Sequence, residues 1–297
     1  MQFIVRGGYL MERAANIQAF LHTESHTVTY LVSDPETHFA AIIDPVLDYD
    51  YFTGNIRTQS IDQILDAADE QALKIVWVLE THAHADHLSA APYVKKLTGA
   101  LIAIGEHIKE VQLLFKSQFN LDDVSGEGRE FDRLLRDGDS FMLGHLTVEV
   151  LHTPGHTPAC VSYRIGNAVF VGDTLFMPDY GTARTDFPGG SAQTLYRSIQ
   201  KLLELPPDTR LFMCHDYMAP ERPYFAWETT VAETRMDNIH VNQAISEDAF
   251  IQMRQQRDAG LAAPKLLIPA IQVNIRAGYL PEAESNGRQY LKVPLSF

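Results

Sequence analysis

The sequence predicts an α/β fold in which two mixed sheets pack face to face under outer helices. Three observations carry this expectation. Apolar runs of strand length alternate with segments of helical period; they fall into two groups along the chain; and four of the strands lead directly into a histidine or an aspartate. With 297 residues, 45% of them hydrophobic, the chain is long enough for one large core or two modest ones.

Residues 1–20 are expected to form a poorly ordered N-terminal extension, as chain ends often do, and they lack the apolar stretch and small-residue cleavage site of a secretory signal. A catalytic core should follow over residues 21–216. Two β-rich runs between 26 and 46 flank the turn Asp34-Pro35-Glu36, and the second run ends in Asp44-Pro45. Ser60 followed by Gln63 has capping-box spacing, and Ile61, Ile64, Leu65 and Ala68 then recur at helical period, giving a helix over 60–71. The run 75–79 reads as a buried strand that delivers the chain into Thr81-His82-Ala83-His84-Ala85-Asp86-His87.

A helix near 88–97, a strand at 101–104 and a helix over 106–116 come next, then a loop through 117–130. Strands are expected at 140–143, 146–152, 160–165 and 168–172, the last two joined by the turn Gly166-Asn167. A helix over 192–203 and a strand over 210–214 complete the core. Residues 217–297 read as a mainly helical region packed on that core, with a helix over 247–257 behind Ser246 and a short strand at 266–268 able to pair.

Lys and Arg number 24 against 38 Asp and Glu, a net charge of −14, which argues against nucleic-acid or anionic-membrane partners, whose affinity needs clustered cations. Any anionic substrate must therefore find a few local cations. Cys160 and Cys214 are the two cysteines, so no disulfide framework is expected and a reducing, cytoplasmic setting is the simpler inference. No apolar run reaches transmembrane length.

Imidazole and carboxylate hold divalent transition metals, and His82-x-His84-x-Asp86-His87 places four of them on one loop. Thr153-Pro154-Gly155-His156-Thr157 presents a further histidine from a tight turn; Gly172-Asp173-Thr174 and Cys214-His215-Asp216 add an acid and a histidine at two more strand ends. His22, His26, His38, His107, His145 and His240 lie outside this pattern, and His152 precedes the turn, so structural roles are expected for them. Cys160 and Cys214 are expected to pack as small hydrophobes.

In this order, over Thr81 to Tyr217, these segments resemble the metallo-β-lactamase αββα sandwich. Ala183-Arg184-Thr185-Asp186-Phe187-Pro188-Gly189-Gly190, His215-Asp216-Tyr217 and Asn274-Ile275-Arg276-Ala277-Gly278 further resemble segments of the persulfide dioxygenases. Where that family has Gly-Cys-Gly-Arg, this chain has Tyr180-Gly181-Thr182-Ala183-Arg184, which looks like the bacterial type II branch that includes β-lactamase-like hydrolases.

The resemblance implies one Fe(II) per chain on His82, His156 and Asp173, with three coordination positions left open. It implies support of the chemistry by His84, Asp86, His87 and His215, and substrate binding by Arg184, Tyr217 and Arg276, although Asp186 is an available structural partner for Arg184. The reaction implied is oxidation of glutathione persulfide by O2 and water to sulfite and glutathione. A rhodanese-type sulfurtransferase would supply the persulfide, and a homodimer is left open. The alternative is a glyoxalase II-like hydroxyacylglutathione hydrolase with a dinuclear zinc or mixed-metal site, the second ion on Asp86, His87 and His215. His215-Asp216-Tyr217 stands where glyoxalase II has His-Glu-Tyr, and the tail lacks that enzyme's basic segment; both lean toward the dioxygenase. A non-catalytic binding module is disfavoured because no ligand position is missing.

Overall fold

The computed structural model describes residues 14–295. Its first half runs β1 (Asn16–His22), β2 (Thr27–Ser33), β3 (Phe39–Ile43), β4 (Val46–Tyr49), β5 (Ile56–Arg57), α1 (Gln59–Glu70), β6 (Lys74–Leu79), β7 (Leu88–Ser89), α2 (Ala91–Thr98), β8 (Leu101–Gly105), α3 (Ile108–Phe119) and β9 (Arg133–Leu135). The second half runs β10 (Ser140–Leu143), β11 (Leu146–His152), β12 (Val161–Ile165), β13 (Ala168–Phe170), α4 (Ala192–Leu203), β14 (Arg210–Phe212), β15 (Glu228–Thr230), α5 (Val231–Asp237), α6 (Glu247–Asp258) and α7 (Leu267–Asn274).

Two mixed sheets result, ordered β1-β2-β3-β6-β8-β9 and β10-β11-β12-β13-β14-β15, with a small β5-β4-β7 ribbon beside them. Parallel pairing joins β3, β6, β8 and β9 in the first sheet and β13 with β14 in the second. Alternation along the strands sends each face to its own layer. In β3, Ala41 and Ile43 face the second sheet, meeting Val148, Tyr163 and Phe170, while Ala40 and Ile42 face the helices. Ile61 and Ile64 of α1, Val94 of α2, Phe115 of α3 and Ile271 of α7 cover the first sheet outside. Leu195 and Ile199 of α4 and Phe250 of α6 cover the second. The order of layers is helix, sheet, sheet, helix.

Several local expectations are corrected. The proposed extension falls largely on residues outside those described, but β1 already pairs with β2 from Asn16 to His22. No capping box forms at Ser60: its hydroxyl and backbone N–H both donate to Asp48 at the end of β4, and α1 begins one residue earlier. Leu88 and Ser89 pair with β4 instead of opening a helix, which starts at Ala91 with Pro92 in its first turn. The run at 266–268 leads into α7, buried from Pro269 to Asn274, rather than a strand. The C-terminal region also supplies β15, paired with β14, so it completes the second sheet as well as covering the first.

Candidate metal centre

The polar loops all leave strands at one rim. The loop after β6 carries His82, His84, Asp86 and His87; the loop between β11 and β12 carries His156; a 3-10 turn after β13 carries Asp173; and His215 follows β14. Gly155, at φ +138°, has no room for a side chain, since a Cβ there would lie 2.3 Å from Leu195 Cα, and this contact seats the His156 turn on α4.

Candidate ligand atoms of His82, His156 and Asp173 lie within 4.8 Å of one another. His156 Nδ1 donates to the Arg184 carbonyl at 2.8 Å and His82 Nδ1 lies 3.0 Å from Thr81 Oγ1, so on both rings Nε2 keeps its lone pair for a ligand. Asp173 Oδ2 is 3.6 Å from His156 Nε2, while its Oδ1 is 3.4 Å from His215 Nε2. His84, Asp86 and His87 form a second such group. Within it Asp86 Oδ2 lies 3.1 Å from His87 Nδ1 and accepts from Thr27 Oγ1 at 3.2 Å. His84 Nε2 lies 3.0 Å from Asp44 Oδ1 and 3.5 Å from Glu80 Oε2.

Burial, reinforced by the charge of neighbouring imidazoles, pushes His82 well below the ordinary imidazole range. His87 falls to about 4, again through burial, although Asp86 opposes it. Both are therefore neutral at pH 7, the state a metal ligand needs. Burial also opposes charge on His84, yet Asp44 and Glu80 overcome it and hold that imidazole well above its usual value. Asp86 stays ionised, because His215 and His87 outweigh its desolvation.

His87 Nε2, on a neutral ring, and Asp173 Oδ1 are buried with no hydrogen-bond partner among the described residues. Orphans of this kind, converging with further imidazoles and carboxylates, fit a divalent transition metal. Asp86, His87, His156, Asp173 and His215 also line a cavity of about 570 Å³ walled by Tyr49, Tyr51, Phe52, Phe176, Tyr180 and Tyr217.

The three expected substrate contacts fare differently. Tyr217 lines the cavity, its ring stacked 5.7 Å from that of His215. Arg184 lines it too, but Nε and Nη2 donate to the two oxygens of Asp186 at 2.6 Å each and Nη1 donates to the Ala262 carbonyl. Arg276 is not among the lining residues. Its guanidinium is buried against Asp123, donating at 2.7 and 2.8 Å, and against the Gln272 carbonyl, which corrects its expected role. Arg57, Arg257 and Lys265 also line the cavity and make no ion pair within 4 Å among the described residues, although Lys265 Nζ lies 5.2 Å over the Phe52 ring. Nothing local marks them in the sequence, because they reach the site from β5, α6 and the segment before α7. Asp44, by contrast, shared with the ligands a visible position at a strand end.

A model of the metallo-beta-lactamase superfamily matches residues 22–215. The chain belongs to this superfamily. Glyoxylase B2 of Dictyostelium discoideum is 49% identical over 290 residues, spanning 97% of this chain and 99% of that protein. Persulfide dioxygenase ETHE1, mitochondrial, of Homo sapiens is 29% identical over 257 residues, spanning 86% and 85%. The crystal structure of ETHE1 from Myxococcus xanthus superposes with a TM-score of 0.72 at 30% identity, covering 89% of this chain and 100% of that one. This superfamily member is thus a metalloenzyme by its donor set and its family. No helix among its described residues is long and apolar enough to cross a membrane.

Proposed function

We propose that the chain is a mononuclear Fe(II) persulfide dioxygenase acting on glutathione persulfide. The observation that carries this reading is the convergence of two histidines and one carboxylate from three separate loops. His82, His156 and Asp173 bring their ligand atoms within 4.8 Å of one another, and because each ring uses Nδ1 elsewhere, Nε2 is left free on both histidines; His87 Nε2 is free as well, but its neighbour Asp86 turns Oδ2 to Thr27 and to His87 Nδ1. Two histidines and one carboxylate make a set that leaves open positions for substrate and oxidant. The likeness to ETHE1 proteins along most of both chains supports the same reading.

Iron at that set supplies the dioxygen chemistry. The chain's own residues bind, orient and move protons. Aromatic side chains flank the approach to the centre, and Arg57, Arg257 and Lys265, the last lying 5.2 Å over the Phe52 ring, are the cavity cations placed to hold the substrate's two carboxylates. Overall, the terminal sulfur loses four electrons to O2, water contributes the third oxygen of sulfite, and glutathione leaves as the thiol. His87, neutral and lining the cavity, is placed to accept a proton from that water, with Asp86 beside its Nδ1. A rhodanese-type sulfurtransferase is the class of partner that would generate the persulfide.

A second reading, thioester hydrolysis of the glyoxalase II type, is favoured by two observations. The orphaned His87 Nε2 and Asp173 Oδ1 beside His215 Nε2 would help to hold a second ion, which would supply a hydroxide for thioester attack, and the Dictyostelium relative bears a glyoxylase name. One anaerobic preparation separates the two. With about one iron per chain, glutathione persulfide should drive oxygen uptake with sulfite formed one for one, and lactoylglutathione should barely be cleaved. Rapid thioester cleavage without oxygen uptake, by protein carrying two metals, would replace the dioxygenase with the hydrolase.

A further inference from the structure

Asn274 closes α7, beyond Asp173 and His215 in the chain and outside every ligand-bearing loop, yet the residue is 4% exposed and its side chain is bound into the loop that carries four of the metal-site residues. Its Nδ2 donates to the His84 carbonyl at 2.8 Å and to the His87 carbonyl at 2.8 Å, while its Oδ1 accepts from the Ser89 backbone N–H at 2.9 Å. Two carbonyls can only accept and an N–H can only donate, so the amide has one orientation here. Both Nδ2 protons are used.

The segment following Asn274 is pressed onto the same loop. Gly278 adopts φ +86°, and a Cβ there would fall 2.6 Å from Pro92 Cδ and 2.8 Å from the Ser89 carbonyl. Ser89 Oγ donates to Glu80 and accepts from the Ala91 N–H, and Glu80 in turn lies against His84. From the other side, Gln112 of α3 holds the Ile275 carbonyl at 2.8 Å. The motif Asn274-Ile275-Arg276-Ala277-Gly278 thus contacts the metal loop through its asparagine and glycine, while its arginine is occupied by Asp123.

We infer that Asn274 is a positioning residue for the metal: it ties α7 to the backbone at His84, His87 and Ser89 and so fixes the angles at which the loop presents its imidazoles. Three bonds from one rigid amide restrain a loop that lies between two strands and has no helix or sheet pairing over His82 to His87. The C-terminal region becomes part of the metal site without contributing a ligand. This inference rests on the metal-centre reading but not on which reaction the centre performs, so a failed oxygen assay leaves it standing.

The test uses full-length protein loaded with Fe(II) or Co(II), in the parent and in the Asn274→Ala and Asn274→Asp variants. Aspartate keeps the acceptor for Ser89 N–H but loses both donors. Metal release to a chelator should accelerate roughly 10- to 100-fold in both variants, the range seen when supporting groups of metal ligands are removed. The visible spectrum of the cobalt protein should change as well; melting of the metal-free protein should also fall, because buried carbonyls lose their donors, so release rate and spectrum are the deciding readouts. Release within about twofold of the parent, in either variant and whatever happens to the melting temperature, overturns the inference. Should neither variant fold, hydrogen exchange in the parent decides: reciprocity requires metal loading to slow exchange of the Ser89 amide, and equal exchange with and without metal overturns it.

Discussion

Arg184 and Arg276 carry the same guanidinium and neither has it to spare. A planar fork with five donors pairs best with a carboxylate, and Asp186 and Asp123 already provide that partner. Partnerships of this kind are nearly invisible in sequence when the acid lies on a distant element, as Asp123 does. The clustering of candidate metal-site residues was legible for the opposite reason: four of the seven sit on one loop, and each of the others follows a strand that apolar runs reveal. The consequence is measurable in steady-state kinetics with a glutathione-bearing substrate. Arg257→Ala should raise KM by roughly ten- to a hundredfold, since a charge-assisted hydrogen bond is worth about 1.5–3 kcal/mol, with kcat much less affected. Arg276→Ala should change KM by less than about threefold and instead lower stability, because it strips a buried contact from Asp123. The reverse pattern would restore Arg276 to the substrate site.

At the scale of elements, strands were easier to read than the beginnings of helices. Buried parallel strands are continuous apolar runs, so β3, β6 and β8 announce themselves, and alternation marks β10 and β11. Ser246 capped α6 as its spacing predicts, accepting from the Ala249 N–H. Ser60 did not, because Asp48 on a neighbouring strand takes its hydroxyl, and no local pattern encodes that competition. The short run leading into α7 was ambiguous on period alone, and tertiary burial decided it. The turn before α4 offers an element-scale test. Gly155→Ala forces a methyl into the backbone at Leu195 and needs a φ that L-residues avoid, so a destabilisation of about 1–3 kcal/mol is expected. Calorimetry of metal-free Gly155→Ala should show it, and metal should be held more weakly because His156 shifts with its turn. An unchanged melting temperature would mean that α4 yields to the added methyl.

Over the whole molecule, the centre draws His82, His84, Asp86 and His87 from the first half of the chain and His156, Asp173 and His215 from the second. The two sheets meet in a single apolar layer, and a bound ion would join them again at the rim. An ion bound by the folded chain and not by the unfolded one adds RT ln(1 + [M]/Kd) to stability, so above Kd each tenfold rise in free metal should contribute about 1.4 kcal/mol. Melting temperatures recorded in metal buffers should climb accordingly, and His156→Ala should flatten the slope; a parent protein whose melting ignores free metal would show that the halves hold without the ion. Proteolysis at fixed free-metal levels should follow the same curve. The chain would then survive according to the metal supplied to it, so scarcity of that metal would thin the population of this protein as well as idle its active site.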